Sequence, residues 1–309
     1  MARYLLQRLF GFIFVVLVVS FITFFLMWKT PGGPFDETNM PLSAEAKANI
    51  IAKYGLDQPF YVQWAKYMVN AVQGDFGTSF KYPGKKVADL FLQYWPNSLL
   101  LGGLSVLWSF PLGAVLGIVA ALKRNTFIDQ LITALALIST TLPQFALAFF
   151  SLAIFAVMLR WVPYGGWKPA EDPRTLILPV IIFGLGTVGQ LARYMRSGML
   201  DVMGQDYIRT ARAKGVSRGK VIFKHAMRNM LVPIVTIFAP VLTNAITGSA
   251  FVEQWFVIPG IGHYYLDSIT NRDYPVIMAS VLIIAVILSI TYLLTDIVYT
   301  ILDPRIRLN

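Results

Sequence analysis

The chain has 309 residues, of which 56% are hydrophobic and only 14% charged, whereas an ordinary soluble domain carries roughly 25% charged residues. Lipid rather than water is therefore the main solvent, and the net charge of +10 matters through its placement along the chain rather than as a nucleic-acid footprint. The absence of cysteine excludes disulfides, thiolate metal sites and cysteine nucleophiles.

Six stretches contain no Asp, Glu, Lys or Arg: 9–28, 98–122, 130–159, 175–192, 229–252 and 274–295. A helix needs about 20 apolar residues to cross a bilayer, so the expected fold is all-α and integral to the membrane, with about six transmembrane helices in one domain over 1–309. The first stretch follows Arg3 and Arg8 and ends in Met27-Trp28-Lys29, without a small-residue cleavage pattern. It is expected to remain as a helix rather than to be removed as a signal peptide.

Residues 30–97 follow, with Lys47, Lys53, Lys66, Lys81, Lys85 and Lys86 matched by Asp36, Glu37, Glu45, Asp57, Asp75 and Asp89. Within this segment a short helix is expected over 43–54, closed by Gly55. A second starts near Pro59 and ends before Gly74, carrying Phe60, Trp64, Tyr67, Met68 and Ala71 along one face that rests on the bilayer or on other helices. Pro111, Pro143, Pro179, Pro233 and Pro240 fall within or at the edges of the spans, where proline bends a helix. Phe145, Phe149 and Phe150 read as packing or lipid contacts.

Basic residues collect on alternate sides of the spans: Arg3 and Arg8 before the first, Lys123 and Arg124 after the second, and Arg305 and Arg307 after the last. The densest group lies in 193–228, with Arg193, Arg196, Arg209, Arg212, Lys214, Arg218, Lys220, Lys224 and Arg228. With six spans these segments share one side, which the positive-inside rule makes cytoplasmic. Both termini are then cytoplasmic, and 30–97 is extracytoplasmic.

Several chemistries have no residues to carry them. The nearest approach to a phosphate-binding loop, 215–221 (GVSRGKV), has the wrong spacing and lacks Ser or Thr after its Lys. His225 and His263 fit no zinc or triad spacing, so enzymatic activity is not expected. Asp129, Glu253 and Asp296 sit at span ends, which leaves no evident ion site near the bilayer midplane and argues against an ion-coupled transporter or channel.

The most specific signal is DYIRTARAKGVSRGKVIFKHAMRNMLVP over 206–233. Tyr207 to Lys214 forms a short helix that Gly215 breaks with a sharp turn, before a second helix rises into the fifth span. Ala211 and Ala213 are small enough for a partner to approach closely, and Arg209, Arg212 and Lys214 supply charge. A basic loop that attracts anionic lipid is the plainer alternative. The segment resembles the EAA loop of binding-protein-dependent ABC importer permeases, with Ala211, Ala213, Gly215, His225 and Pro233 on the family pattern. Arg209-Thr210-Ala211 stands where many members carry Glu-Ala-Ala, a form typical of the peptide and nickel branch.

Further runs resemble B-type subunits of oligopeptide permeases: PGGPF at 31–35, YGLDQP at 54–59, GDFGTSFKY at 74–82, PGIG at 259–262, NRDYP at 271–275 and DPRIR at 303–307. The resemblance implies a type I ABC importer permease in a bacterial inner membrane, forming half of a translocation pathway for oligopeptides. Dipeptide, nickel, glutathione, opine-like and sugar cargoes occur among close relatives. It further implies a homologous second permease, two ATPase subunits that bind ATP and Mg so that this chain needs no cofactor, and an extracytoplasmic peptide-binding protein. In that family 193–228 is the coupling loop, in which Tyr207, Arg209, Thr210, Ala211, Arg212, Ala213, Lys214, Gly215 and His225 would meet the ATPase. The outer run 271–275 is expected near the surface that docks the binding protein.

Overall fold

The computed structural model describes residues 2–31, 55 and 57–302. The helix expected over 43–54, the DPRIR run and all but the first residue of PGGPF lie outside the described residues. The chain folds as helices α1 (Ala2–Lys29), α2 (Phe60–Val72), α3 (Val87–Leu122), α4 (Phe127–Thr141), α5 (Gln144–Ser151), α6 (Arg174–Met203), α7 (Asp206–Ala213), α8 (Met227–Thr247), α9 (Ala250–Trp255), α10 (Ile261–Thr270) and α11 (Tyr274–Leu302). A π-helical stretch, Leu152–Met158, prolongs α5, and another, Val221–Ala226, leads into α8.

Among the described residues, five helices are long and apolar enough to cross a membrane, and a sixth span is made if α4 and α5 with its π-helical extension count as one broken crossing. The break turns the chain by 103° where Leu142 leaves the helical region and Pro143 follows. Proline has no N–H to continue α4 and forces its predecessor into an extended conformation. The crossing expected over 130–159 is therefore a sharply bent pair, broken at one of the prolines expected to bend a span. The fifth stretch is also interrupted, because Gly248 ends α8 at φ +76 and Ser249 caps α9 by accepting the Val252 N–H. At the inner side α6 extends past the apolar stretch to Met203, so Arg193 and Arg196 stand on a helix instead of in a loop.

Polar contacts match the ends of the helices in the order that alternating crossings require. At one end Arg8 pairs with Asp296 at 2.8 Å, and Arg196 Nη2 donates to Asp129 Oδ2 at 2.8 Å. At the other, the Tyr274 hydroxyl donates to the Met27 carbonyl at 2.9 Å and Trp167 Nε1 to Asn97 Oδ1 at 2.9 Å. The first end carries the basic residues and is the cytoplasmic one.

The core is α3 against α6, and small residues bring the two together. A Cβ on Gly117 would fall 2.4 Å from Met195 Cβ and 2.5 Å from the Ala192 carbonyl oxygen, and one on Gly102 would fall 1.9 Å from the Ala245 carbonyl oxygen of α8. In lipid, where apolar surface gains little by leaving solvent, such close backbone approach is what drives helices together. Around this core α1 is peripheral, leaving Phe10, Phe14 and Ile22 exposed. It is held by Trp64 of α2, whose Nε1 donates to Ser20 Oγ at 3.2 Å, and by Phe60 packed beside Phe21, Phe25 and Trp28. The apolar face expected on α2 thus rests on neighbouring helices.

Candidate functional site: a polar cavity between two broken helices and a cytoplasmic helix

Helix α7 begins with Asp206 in its first turn and ends in the turn its sequence demands. Gly215, at φ +75, donates to the Arg212 carbonyl at 2.9 Å, and Val216 donates to the Ala211 carbonyl at 3.2 Å. This pair of bonds closes a Schellman motif, in which the left-handed position favours glycine. Ile208 and Ala211 face inward with Val221, while Val202, Met203 and Val216 pack against that cluster. The helix is therefore seated on the end of α6. Tyr207, Arg209, Thr210, Arg212, Ala213, Lys214 and Gly215 are exposed. Ala211, read from sequence as a point of approach for a partner, is instead buried beneath the helix, and only Ala213 of that pair faces out. Arg209 is paired with Asp206 at 3.5 Å. His225 belongs to the π-helical turn before α8, and its side chain lies outside the described residues.

Above α7, a cavity of about 500 Å3 opens between α3, the α4–α5 bend, α6 and α8. Ser139, Thr140 and Gln144 come from the bend, Asn244 from α8, and Phe183, Gly186, Thr187, Gln190 and Arg193 from α6. The α6 residues recur at intervals of three and four, which is one stripe of a helix. Apart from Arg193, no sequence motif singles out these lining residues, although a polar and glycine stripe inside a charge-free span is a usable signal. Phe145, Phe149 and Phe150 do not line the cavity; Phe145 lies against Phe251 and Phe149 against Trp255, in keeping with packing. Those contacts join the two broken helices, as does the Ser249 hydroxyl, 3.1 Å from Gln144 Oε1.

The outer end is tied by two buried carboxyl groups. Glu253 accepts from Ser98 Oγ at 2.8 Å and from the His263 N–H at 3.0 Å, while Ser98 Oγ accepts from the Ile261 N–H at 2.8 Å. The PGIG glycines make room for this knot, since a Cβ on Gly260 would lie 2.4 Å from Glu253 Oε2. Asp273 accepts from Ser79 Oγ, from the Phe80 N–H at 3.0 Å and from the Lys81 N–H at 3.3 Å. The runs 74–82 and 271–275 thus meet in one unit, and Asp273 faces inward rather than toward a docking partner. Nearby, Lys81 pairs with Asp267. Partial burial pushes the Lys81 ammonium down, but the hydrogen bond and charge of Asp267, with Tyr82 alongside, outweigh it and hold the group above its usual range.

Residues 113–308, which carry α7 and all of the cavity lining except its α3 residues, match the family described as binding-protein-dependent transport system inner membrane component, and residues 1–96 match the N-terminal part of such membrane components. The chain belongs to this family. It is accordingly a multi-pass inner-membrane component of a transport system.

Similar proteins include the dipeptide transport system permease protein DppB of Bacillus subtilis (strain 168), 40% identical over 100% of this chain and 99% of that protein. The oligopeptide transport system permease protein AppB of the same organism is 39% identical over 99% of this chain and 100% of that one. OppB of Escherichia coli (strain K12), also named an oligopeptide transport system permease protein, is 34% identical over 99% of this chain and all of that one. Among solved structures, a chain of the MetNI methionine ABC transporter in an inward-facing conformation superimposes with a TM-score of 0.55 at 17% identity, covering 69% of this chain and 96% of that one. At that identity the likeness establishes the fold, that of an ABC importer permease.

Proposed function

We propose that this chain is one permease subunit of an ATP-driven importer of oligopeptides and that its polar cavity is half of the translocation pathway. The observation that carries the reading is its end-to-end alignment with proteins named dipeptide and oligopeptide transport permeases. A homologous second permease completes the pathway, an extracytoplasmic binding protein delivers peptide, and two ATPase subunits hold ATP and Mg on the cytoplasmic side. The outward side chains of α7, namely Tyr207, Arg209, Thr210, Arg212, Ala213 and Lys214, meet the ATPase. Ile208 and Ala211 transmit its movement to α6, and α6 carries the cavity stripe. Closure of the ATPases on ATP favours one arrangement of α6 and α8 over the other, which is how a partner shifts such an equilibrium.

Purification of the tagged chain from native membranes in mild detergent tests the assembly. Two ATPase polypeptides, or one in double copy, are expected beside a second permease, and the reconstituted complex with its binding protein takes up peptide only with ATP. Recovery of the chain alone, moving substrate unaided, would overturn the proposal.

A further inference from the structure

The basic residues of 193–228 look equivalent in the sequence, but two of them differ in their surroundings. Arg196 is engaged by Asp129, whose carboxylate also accepts the Asn125 N–H at 2.9 Å, and so it fastens α6 to the start of α4. Arg193, less than one turn away on α6, lines the polar cavity and, among the described residues, has no ion-pair partner. Among the described residues, no Asp or Glu contributes to the lining. Arg193 is thus the one charge among the described cavity-lining residues, and it stands at the cytoplasmic end of the α6 stripe.

Beyond it the wall is neutral. Thr187, Gln190 and Asn244 have no hydrogen-bond partner for their side chains among the described residues, and Gln144 receives Ser249 on its amide oxygen with its amide nitrogen left over. Amides both donate and accept, which complements a peptide main chain whatever its side chains. A guanidinium has only donors, in a planar fork that fits a carboxylate through two parallel bonds. A cleft lined by one sign of charge concentrates the opposite sign within it.

We infer that Arg193 receives the C-terminal carboxylate of the peptide in transit, while the neutral amides of Gln144, Gln190 and Asn244 hold its main chain. The inference rests on the peptide-import reading and adds an end-specific contact inside the membrane to whatever selection the binding protein makes.

The test is uptake by the full reconstituted complex of one peptide in two forms, with a free C-terminus and with a C-terminal amide, each supplied at a concentration that saturates the binding protein. The unaltered complex is expected to move the free acid faster, by about tenfold if one charge-assisted bond of ordinary strength distinguishes the two. Arg193→Gln is expected to bring the ratio toward one, and Arg193→Lys to restore much of it. Because the ratio is taken within each variant, a general loss of assembly cancels. An unchanged ratio in Arg193→Gln, or no preference in the unaltered complex, overturns the inference and leaves peptide import standing. Uptake of neither form by the unaltered complex, with ATPases and binding protein present, overturns the import reading and this inference with it.

Discussion

The outer end of the molecule and helix α7 at the inner end use their charged and polar groups in opposite ways. Outside, Glu253 and Asp273 are buried and take hydrogen bonds from Ser98, His263, Ser79, Phe80 and Lys81 of the same chain. Inside, Tyr207, Arg209, Arg212 and Lys214 stand exposed on α7, whose own seating uses only Ile208 and Ala211. A buried polar group must find partners in its own protein, whereas an exposed set on a rigid helix is available to another one. The outer carboxylates thus tie the chain to itself, whereas the outward side chains of α7 are left for the partner proposed above.

Replacing Glu253 with Ala is the strongest way to break that contrast. The Ser98 hydroxyl and the His263 N–H would lose their acceptor in a closed space. Unsatisfied buried donors and the remaining void together are expected to lower stability on the order of 3–5 kcal/mol, read as a fall in thermal midpoint of the detergent-purified complex. A midpoint equal to that of the unaltered protein would mean that the outer knot is not what holds α3, α9 and α10 together.

Asp273→Ala is expected to be milder, about 2 kcal/mol, since the Phe80 and Lys81 N–H groups are only partly buried and can turn to water. Faster proteolysis within 74–82, with the spans intact, is the signature. Unchanged cleavage would show that the loop is held by other contacts, such as the Lys81–Asp267 pair.

The smallest effect on stability and the sharpest on coupling are expected at Gly215. An added side chain there meets nothing within 4 Å, so Gly215→Ala should cost about 1 kcal/mol through its positive φ alone. Gly215→Trp should insert normally, and the complex carrying it should hydrolyse ATP at its ATPase subunits without moving peptide, because the indole projects from the surface proposed to meet the ATPase. Normal uptake by that variant in proteoliposomes would remove α7 from the coupling role.

Much of this architecture was legible because lipid imposes a simple rule. Length without charge marks 9–28 and 274–295 as spans, and the alternation of Lys and Arg orients them. The turn at Gly215 was equally plain, since a left-handed residue after a short helix calls for glycine. Pro143 was visible as a proline inside the third apolar stretch, but the sequence does not state that the chain turns there by 103°. Nor does it state that Phe145 and Phe149, beyond the turn, lie against Phe251 and Trp255 of α9. Ala211 and Ala213 looked alike as well, yet one is covered by the chain and the other is not, because residues two apart on a helix face different ways.

By itself, then, the sequence determined the solvent, the number and order of apolar stretches, the side that carries positive charge and the break after Lys214, all properties of local composition and backbone preference. Tertiary structure alone decided which polar residues are enclosed, which are held by partners and which are presented. Asp129 selects Arg196 and leaves Arg193 to the cavity, and residues as distant as Ser79 and Asp273 become neighbours, since burial and pairing depend on what packs against a side chain in space and no local pattern specifies that.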